Sequence, residues 1–152
     1  MSKFLTAVKA EQLGVDRFKL LESLAYQSDL LKIIVLVPKG FITDFESVPR
    51  WLPVVYAMLQ GEAHAPGVIH DYLYQTHKAG DVGINRKMAD DVLYEAAGAR
   101  GPGITSVSWY KRWMLWSGVR VGGAGAYESG PRRLKILWDR RKSSRPSDTL
   151  FT

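Results

Sequence analysis

Apolar and polar positions divide this chain into a strand-rich first third and a helical remainder. From Phe18 to Tyr26, and again from Leu31 to Val37, branched and aromatic residues dominate, with Gln27-Ser28-Asp29 between them as turn chemistry; a β-hairpin is expected. Pro38-Lys39-Gly40 then turns the chain into a third short strand, Phe41 to Phe45. Ser47-Val48-Pro49 ends it, because proline restricts the residue before it. The period then changes. Trp51 to Gln60 reads as a short helix despite Pro53, Pro66 to His77 as a helix with proline near its first turn, and Asn85 to Ala97 as a strong helix. Gly98 to Gly103, rich in glycine and holding Pro102, closes that helix. Ser106 to Arg120 is the last helical stretch, and Trp109, Trp113 and Trp116 at i, i+4 and i+7 form a stripe expected to face the core. Gly122, Gly123, Gly125 and Gly130 read as a flexible linker. The expected fold class is α+β: a small N-terminal antiparallel β-sheet, made of the hairpin and the short strand, packed on three to four helices. Residues 1–121 would form one domain, and residues 122–152 a glycine-rich linker with a basic C-terminal tail.

Length and composition narrow the class. A chain of 152 residues, 46% hydrophobic and 11% aromatic, can bury one core and fold alone. No apolar run is long enough to span a bilayer, and the start of the chain lacks a secretory pattern, so it reads as soluble. With no cysteine, any metal would be held by oxygen and imidazole ligands. The net charge of +6 is concentrated between Pro131 and Thr152, a tail of +5 in which Leu134, Ile136, Leu137 and Trp138 interrupt the charges. Such a tail suits solvation or docking to a partner, and an anionic surface or nucleic acid is a further candidate. There is no internal repeat, phosphate-binding loop or dinucleotide fingerprint.

The chemistry-bearing stretch is Val68-Ile69-His70-Asp71-Tyr72-Leu73-Tyr74, followed by Arg86-Lys87-Met88-Ala89-Asp90-Asp91. His70 and Tyr74 share a helix face at i, i+4, while Asp71 is rotated by about 100° toward a different partner. On the next helix Asp90 has two options: pairing with Arg86 at the surface or turning inward to His70. Two readings follow. In one the residues form a hydrolytic site. In the other they form a buried polar network tying the Asp44–Ser47 turn to the helices, which specifies a fold without doing chemistry. Asp44 and Ser47 also suit turn capping, and Arg50 suits a carboxylate partner. His64 and His77 read as surface residues, Asp91 and Glu95 as a solvated face, and Asp81 as loop chemistry.

The run from Val37 through Thr43-Asp44-Phe45-Glu46-Ser47-Val48-Pro49-Arg50, with His70-Asp71-Tyr72-Leu73-Tyr74, Arg86 and Ala89-Asp90, resembles the bacteriophage family called domain of unknown function number 1353. That resemblance covers roughly Tyr26 to Gly123 and implies a tailed phage or prophage origin, in the virion or the infected host cytoplasm. The pattern His-Asp-x-x-Tyr followed by Ala-Asp also resembles the active-site helices of phospholipases A2. This second resemblance implies His70 as general base, Asp90 as the carboxylate orienting it, Tyr74 as its support, and Asp71 as a calcium ligand. Upstream, Gln60 to Gly67 departs from the glycine-rich calcium loop of those enzymes. Asp44, with Thr43 or Ser47 beside it, is the available replacement ligand for calcium or another divalent ion.

Three functions are therefore in contention. The first is a small phage hydrolase acting on an ester or amide of the host envelope, with His70, Asp90 or Asp91, and Tyr74 catalytic, Asp71 and Asp44 on a metal, and Thr43, Ser47, Arg50 and Arg86 in support. The second is a virion or tail-assembly component docking to other phage tail proteins through its basic tail. The third is an accessory protein binding nucleic acid or a host factor, for which no recognisable motif is present.

Overall fold

The computed structural model describes residues 1–14, 17–44 and 64–143. Within these the chain is α+β, with small antiparallel sheets at its N-terminal side followed by four helices. Strands β1 (Lys3–Phe4), β4 (Leu24–Ser28) and β5 (Ile33–Val37) form one sheet in the order β1-β4-β5. Strands β2 (Ala10–Gln12), β3 (Arg17–Leu20) and β6 (Ile42–Asp44) form a second, in the order β2-β3-β6. The expected hairpin is the β4–β5 pair, with Tyr26 opposite Val35, but its turn lies at residues 29–32 and not at 27–29, since Gln27 and Ser28 still pair with Ile34 and Ile33. Its first strand is shorter than the sequence suggests. The stretch from Phe18 to Tyr26 is split at Leu21–Ser23 between the two sheets, since Leu20 pairs toward Phe41 whereas Leu24 pairs with Val37.

A third, two-stranded ribbon of β7 (Lys78–Ala79) and β8 (Val82–Gly83) separates helices α1 (His64–Thr76) and α2 (Arg86–Ala97). Asn85 starts α2 as an N-cap, its side-chain oxygen accepting from the Met88 amide at 2.9 Å. Helices α3 (Trp109–Gly122) and α4 (Ala124–Ser143) complete the element order. The expected helix at Trp51–Gln60 lies outside the described residues.

Helix α1 is the centre of the molecule. It is buried from Ala65 through Asp71, and again at Leu73 and Tyr74, because α2, α4, β5 and β6 cover it from different sides. Its Val68, Ile69 and Leu73 join Phe4, Leu20, Leu24, Tyr26, Val35 and Val37 in the main core. A smaller cluster of Leu93, Ala97, Val107, Leu115 and Val119 seals α2 against α3.

Two expectations fail in this half. The glycines between 122 and 130 do not make a flexible linker, because residues 124–143 are helical and pack on α1. Glycine serves close approach there. A Cβ at Gly130 would overlap the Tyr74 carbonyl oxygen, and one at Gly123 would sit 2.6 Å from the Tyr74 hydroxyl. The tryptophan stripe does not face the core either: Trp109 is 73% and Trp113 59% exposed, and α3 packs through Leu115, Gly118 and Val119 on its other side. Only Trp116 is drawn inward, donating its indole N–H to Asp91 at 2.9 Å.

Pro131 sits inside α4 and has no N–H to give the carbonyl four residues earlier, that of Tyr127. His77 supplies the missing donor. Its Nε2 lies 2.7 Å from the Tyr127 oxygen, its ring stacks on the Tyr127 ring at 3.8 Å, and the Tyr127 hydroxyl donates to the Ile84 carbonyl at 2.7 Å. Because a carbonyl can only accept, His77 must carry its proton on Nε2. Its φ of 54° places it where the helix has ended and the chain turns toward β7. His77 is thus a structural partner of the helix break, not the surface residue its loop position suggested.

Candidate functional site

The site grows from the i, i+4 spacing on α1. His70 and Tyr74 project from one face with ring centroids 4.0 Å apart and the rings tilted by 42°, and both reach the same carboxylate on α2. Asp90 turns inward rather than outward. Its Oδ1 lies 2.9 Å from His70 Nε2 and accepts from the Tyr74 hydroxyl at 2.5 Å, while Oδ2 accepts from Arg120 Nη1 at 3.0 Å. Asp90 is 0% exposed and His70 7%. Arg120, near the end of α3, had no signal in the sequence, because nothing local marks an arginine 30 positions away as the partner of Asp90.

The electrostatics fix the protonation pattern. Burial alone pushes the Asp90 carboxyl up, but bonds from His70, Tyr74 and Arg120 outweigh it and hold the group below the ordinary carboxylate range. Asp90 is therefore ionised at neutral pH and can only accept. Both groups on Oδ1 must donate, so His70 carries its proton on Nε2. In the neutral form of the ring Nδ1 is then the lone-pair nitrogen, and no described residue bonds it. The Tyr74 hydroxyl is pushed up by burial and by its bond to Asp90, so it remains a neutral donor.

Asp71 points elsewhere, as its rotation on α1 requires. It accepts from the Thr43 hydroxyl and so ties β6 to α1. Thr43 is nearly fully buried. Asp44 stands opposite Arg17 in the sheet register. Ser47 and Arg50 lie outside the described residues. Calcium takes six to eight oxygens. Among the described residues no group of three or more carboxylate or imidazole side chains comes together that could hold a metal, so Asp71 alone does not form that shell.

The remaining candidates separate. Arg86 does not pair with Asp90: its guanidinium caps the end of α3, donating to the Arg120 carbonyl at 3.0 Å. That holds the backbone of the residue whose side chain binds Asp90. Asp91 faces away from His70, between Lys87 at 2.6 Å and the Trp116 indole, and so cannot orient the imidazole. Glu95 is not on a solvated face. Its Oε1 accepts from the Tyr26 hydroxyl and from Ser28 Oγ, both at 2.7 Å, and Oε2 accepts from the Leu30 amide at 2.7 Å. This second carboxylate joins α2 to the β4–β5 hairpin, and burial together with Glu95 pushes the Tyr26 hydroxyl up.

Among known proteins, the family model described as protein of unknown function (DUF1353) matches residues 18–119. That span includes His70, Tyr74, Asp90 and the Thr43–Asp71 pair, and ends just before Arg120. No curated protein and no solved structure matches the chain.

Proposed function

This chain belongs to the DUF1353 family, and from the site it carries we propose that it is a hydrolase in which His70 is the general base. One observation carries the reading: an imidazole with Nε2 committed to a buried ionised carboxylate and an Nδ1 that no described residue bonds. In that state Nδ1 takes a proton from water as the water oxygen attacks an ester or amide carbonyl. The carbon–heteroatom bond then breaks, and the proton passes from Nδ1 to the leaving oxygen or nitrogen. Asp90 holds the ring's orientation and stabilises the transient imidazolium. Tyr74 and Arg120 hold Asp90, and Arg86 holds the backbone of Arg120.

The likeness of His70, Tyr74 and Asp90 to phospholipase A2 active-site helices supports phospholipid esters of a bacterial envelope as the first substrate class. The phage origin that the resemblance implies supports the host envelope as the source of that substrate. The test is release of fatty acid from phosphatidylglycerol vesicles, beside a panel of simple esters and amides, by wild type and His70→Asn. Removal of a general base should cost about 10²–10⁴-fold in rate. The proposal fails if no substrate is turned over, or if the variant is as active as wild type.

A second reading has its own observation. Half-buried Glu95, bonded to Tyr26, Ser28 and the Leu30 amide, joins α2 to the β4–β5 hairpin through a carboxylate and a tyrosine. Asp90 with Tyr74 and Arg120 would then be the same device joining α1, α2 and α3, in a non-catalytic virion or tail-assembly component. Under it, His70→Asn changes stability and nothing else.

A further inference from the structure

We propose that helix α3 is a docking surface for anionic phospholipid, with Trp109, Tyr110 and Trp113 as the groups that enter the interface. Trp109 is 73%, Tyr110 50%, Trp113 59% and Val121 79% exposed. At about 100° per residue these four fall within one sector of roughly 120°. The packed residues Leu115, Gly118 and Val119 lie on the other side of the helix. Scattered exposed apolar residues are ordinary, but a contiguous aromatic face on one helix is not. Trp109 and Tyr110 stand edge to face with centroids 6.2 Å apart.

The chemistry of the patch selects the occupant. Indole and phenol rings, apolar in body with a polar edge, concentrate at the boundary between headgroups and acyl chains. Helix α3 carries Lys111, Arg112 and Arg120 and no acidic residue, with Arg120 paired to Asp90 and Arg112 lying over the Tyr94 ring. Residues 109–143, which span α3 and α4, hold nine basic and two acidic side chains, a net +7, against −1 for the rest of the chain. Arg132 and Lys135 on α4 are exposed. A cationic helix pair bearing exposed tryptophans complements a negatively charged bilayer, since apolar burial and attraction to anionic headgroups add. Single-stranded nucleic acid also stacks on aromatic rings and favours positive charge, but it is held in grooves. These rings stand on the outer side of a helix. The described cleft, about 530 Å³ between Val8, Phe18, His64 and Ile104, lies elsewhere. No helix among the described residues is long and apolar enough to cross a membrane, so contact through this face would be at the surface.

The inference does not depend on the hydrolytic reading, and the experiment keeps the two apart. Full-length protein is mixed with vesicles of phosphatidylcholine alone or of equal parts phosphatidylcholine and phosphatidylglycerol, and binding is read by co-sedimentation and tryptophan emission. Wild type and His70→Asn should both bind the mixed vesicles, with a blue shift in emission, and bind phosphatidylcholine far more weakly. The pair Trp109→Ser and Trp113→Ser, both at exposed positions, should keep the far-ultraviolet dichroism of wild type and lose about a hundredfold in partitioning. Unchanged binding by that variant, equal binding to both vesicle types, or no vesicle binding would overturn the proposal. So would binding to a single-stranded oligonucleotide in place of vesicles, which would reassign the face to nucleic acid.

Discussion

Replacing Asp90 by Asn keeps the size of the side chain and removes the charge on which three donors converge. In wild type the carboxylate is fully buried and accepts from Tyr74 at 2.5 Å, His70 at 2.9 Å and Arg120 at 3.0 Å. A hydrogen bond to a charged group contributes roughly 1.5–3 kcal/mol, and a buried charge left without its partner costs more. Asn retains one accepting oxygen for Tyr74 and His70, but turns an amide donor toward the Arg120 guanidinium. The Arg120 side chain is 31% exposed, so water recovers part of that loss. The net expectation is a destabilisation of about 2–4 kcal/mol at neutral pH.

The effect should depend on pH with a defined sign. Asp90 is held below its ordinary range in the folded chain, so its contribution is fully present above the unfolded carboxylate value and is lost as pH falls through the folded one. The gap between wild type and Asp90→Asn should therefore be widest near neutrality and narrow below about pH 4. Urea unfolding at a series of pH values measures it directly. A gap under about 0.5 kcal/mol, the scale of an ordinary surface substitution, would refute the reasoning. So would a gap that does not narrow on acidification.

Other substitutions test other joints. Glu95→Gln should cost about 1–3 kcal/mol of stability by weakening the Tyr26, Ser28 and Leu30 bonds, while leaving any hydrolysis per folded molecule unchanged; loss of both in chemical denaturation and turnover assays would merge the two carboxylates into one network. Gly130→Ala places a methyl on the Tyr74 carbonyl and should lower stability by about 1–3 kcal/mol in denaturant melts; a neutral result would mean that α4 does not rest on α1 as described. His77→Ala leaves the Tyr127 carbonyl without its donor and should cost about 1–2 kcal/mol, with faster amide exchange around residues 127–131; unchanged exchange there would sever His77 from the proline break.

Several of these joints were legible in the sequence because their signals are local. The two apolar runs mark the β4–β5 hairpin although its turn falls at 29–32, later than the turn expected at 27–29; Asn85 marks the start of α2, and the i, i+4 spacing of His70 and Tyr74 puts both on one face whatever surrounds it. Asp90 was readable only as a choice between two partners, and burial of α2 against α1 decides it. What the sequence concealed depends on the side of an element that the rest of the fold covers. Periodicity identified the Trp109–Trp113 stripe but not that the slimmer Gly118 side of α3 would be the one packed. Glycine density suggested flexibility at 122–130, whereas two of those glycines permit close contact with Tyr74. Glu95 and Arg120 gave no local sign, because their partners lie 65 to 69 and 30 positions away. Strands β1 and β2 are only two and three residues long, too short for alternation to register.

The ring nitrogens of His70 offer the most direct test, since everything proposed for the site depends on which of them holds the proton. In a long-range nitrogen–proton NMR spectrum at neutral pH, His70 should show a protonated Nε2 and an unprotonated Nδ1, and Asp90→Asn should release that preference. A wild-type His70 protonated on Nδ1, or populating both tautomers equally, would contradict an ionised Asp90 holding the imidazole as a base.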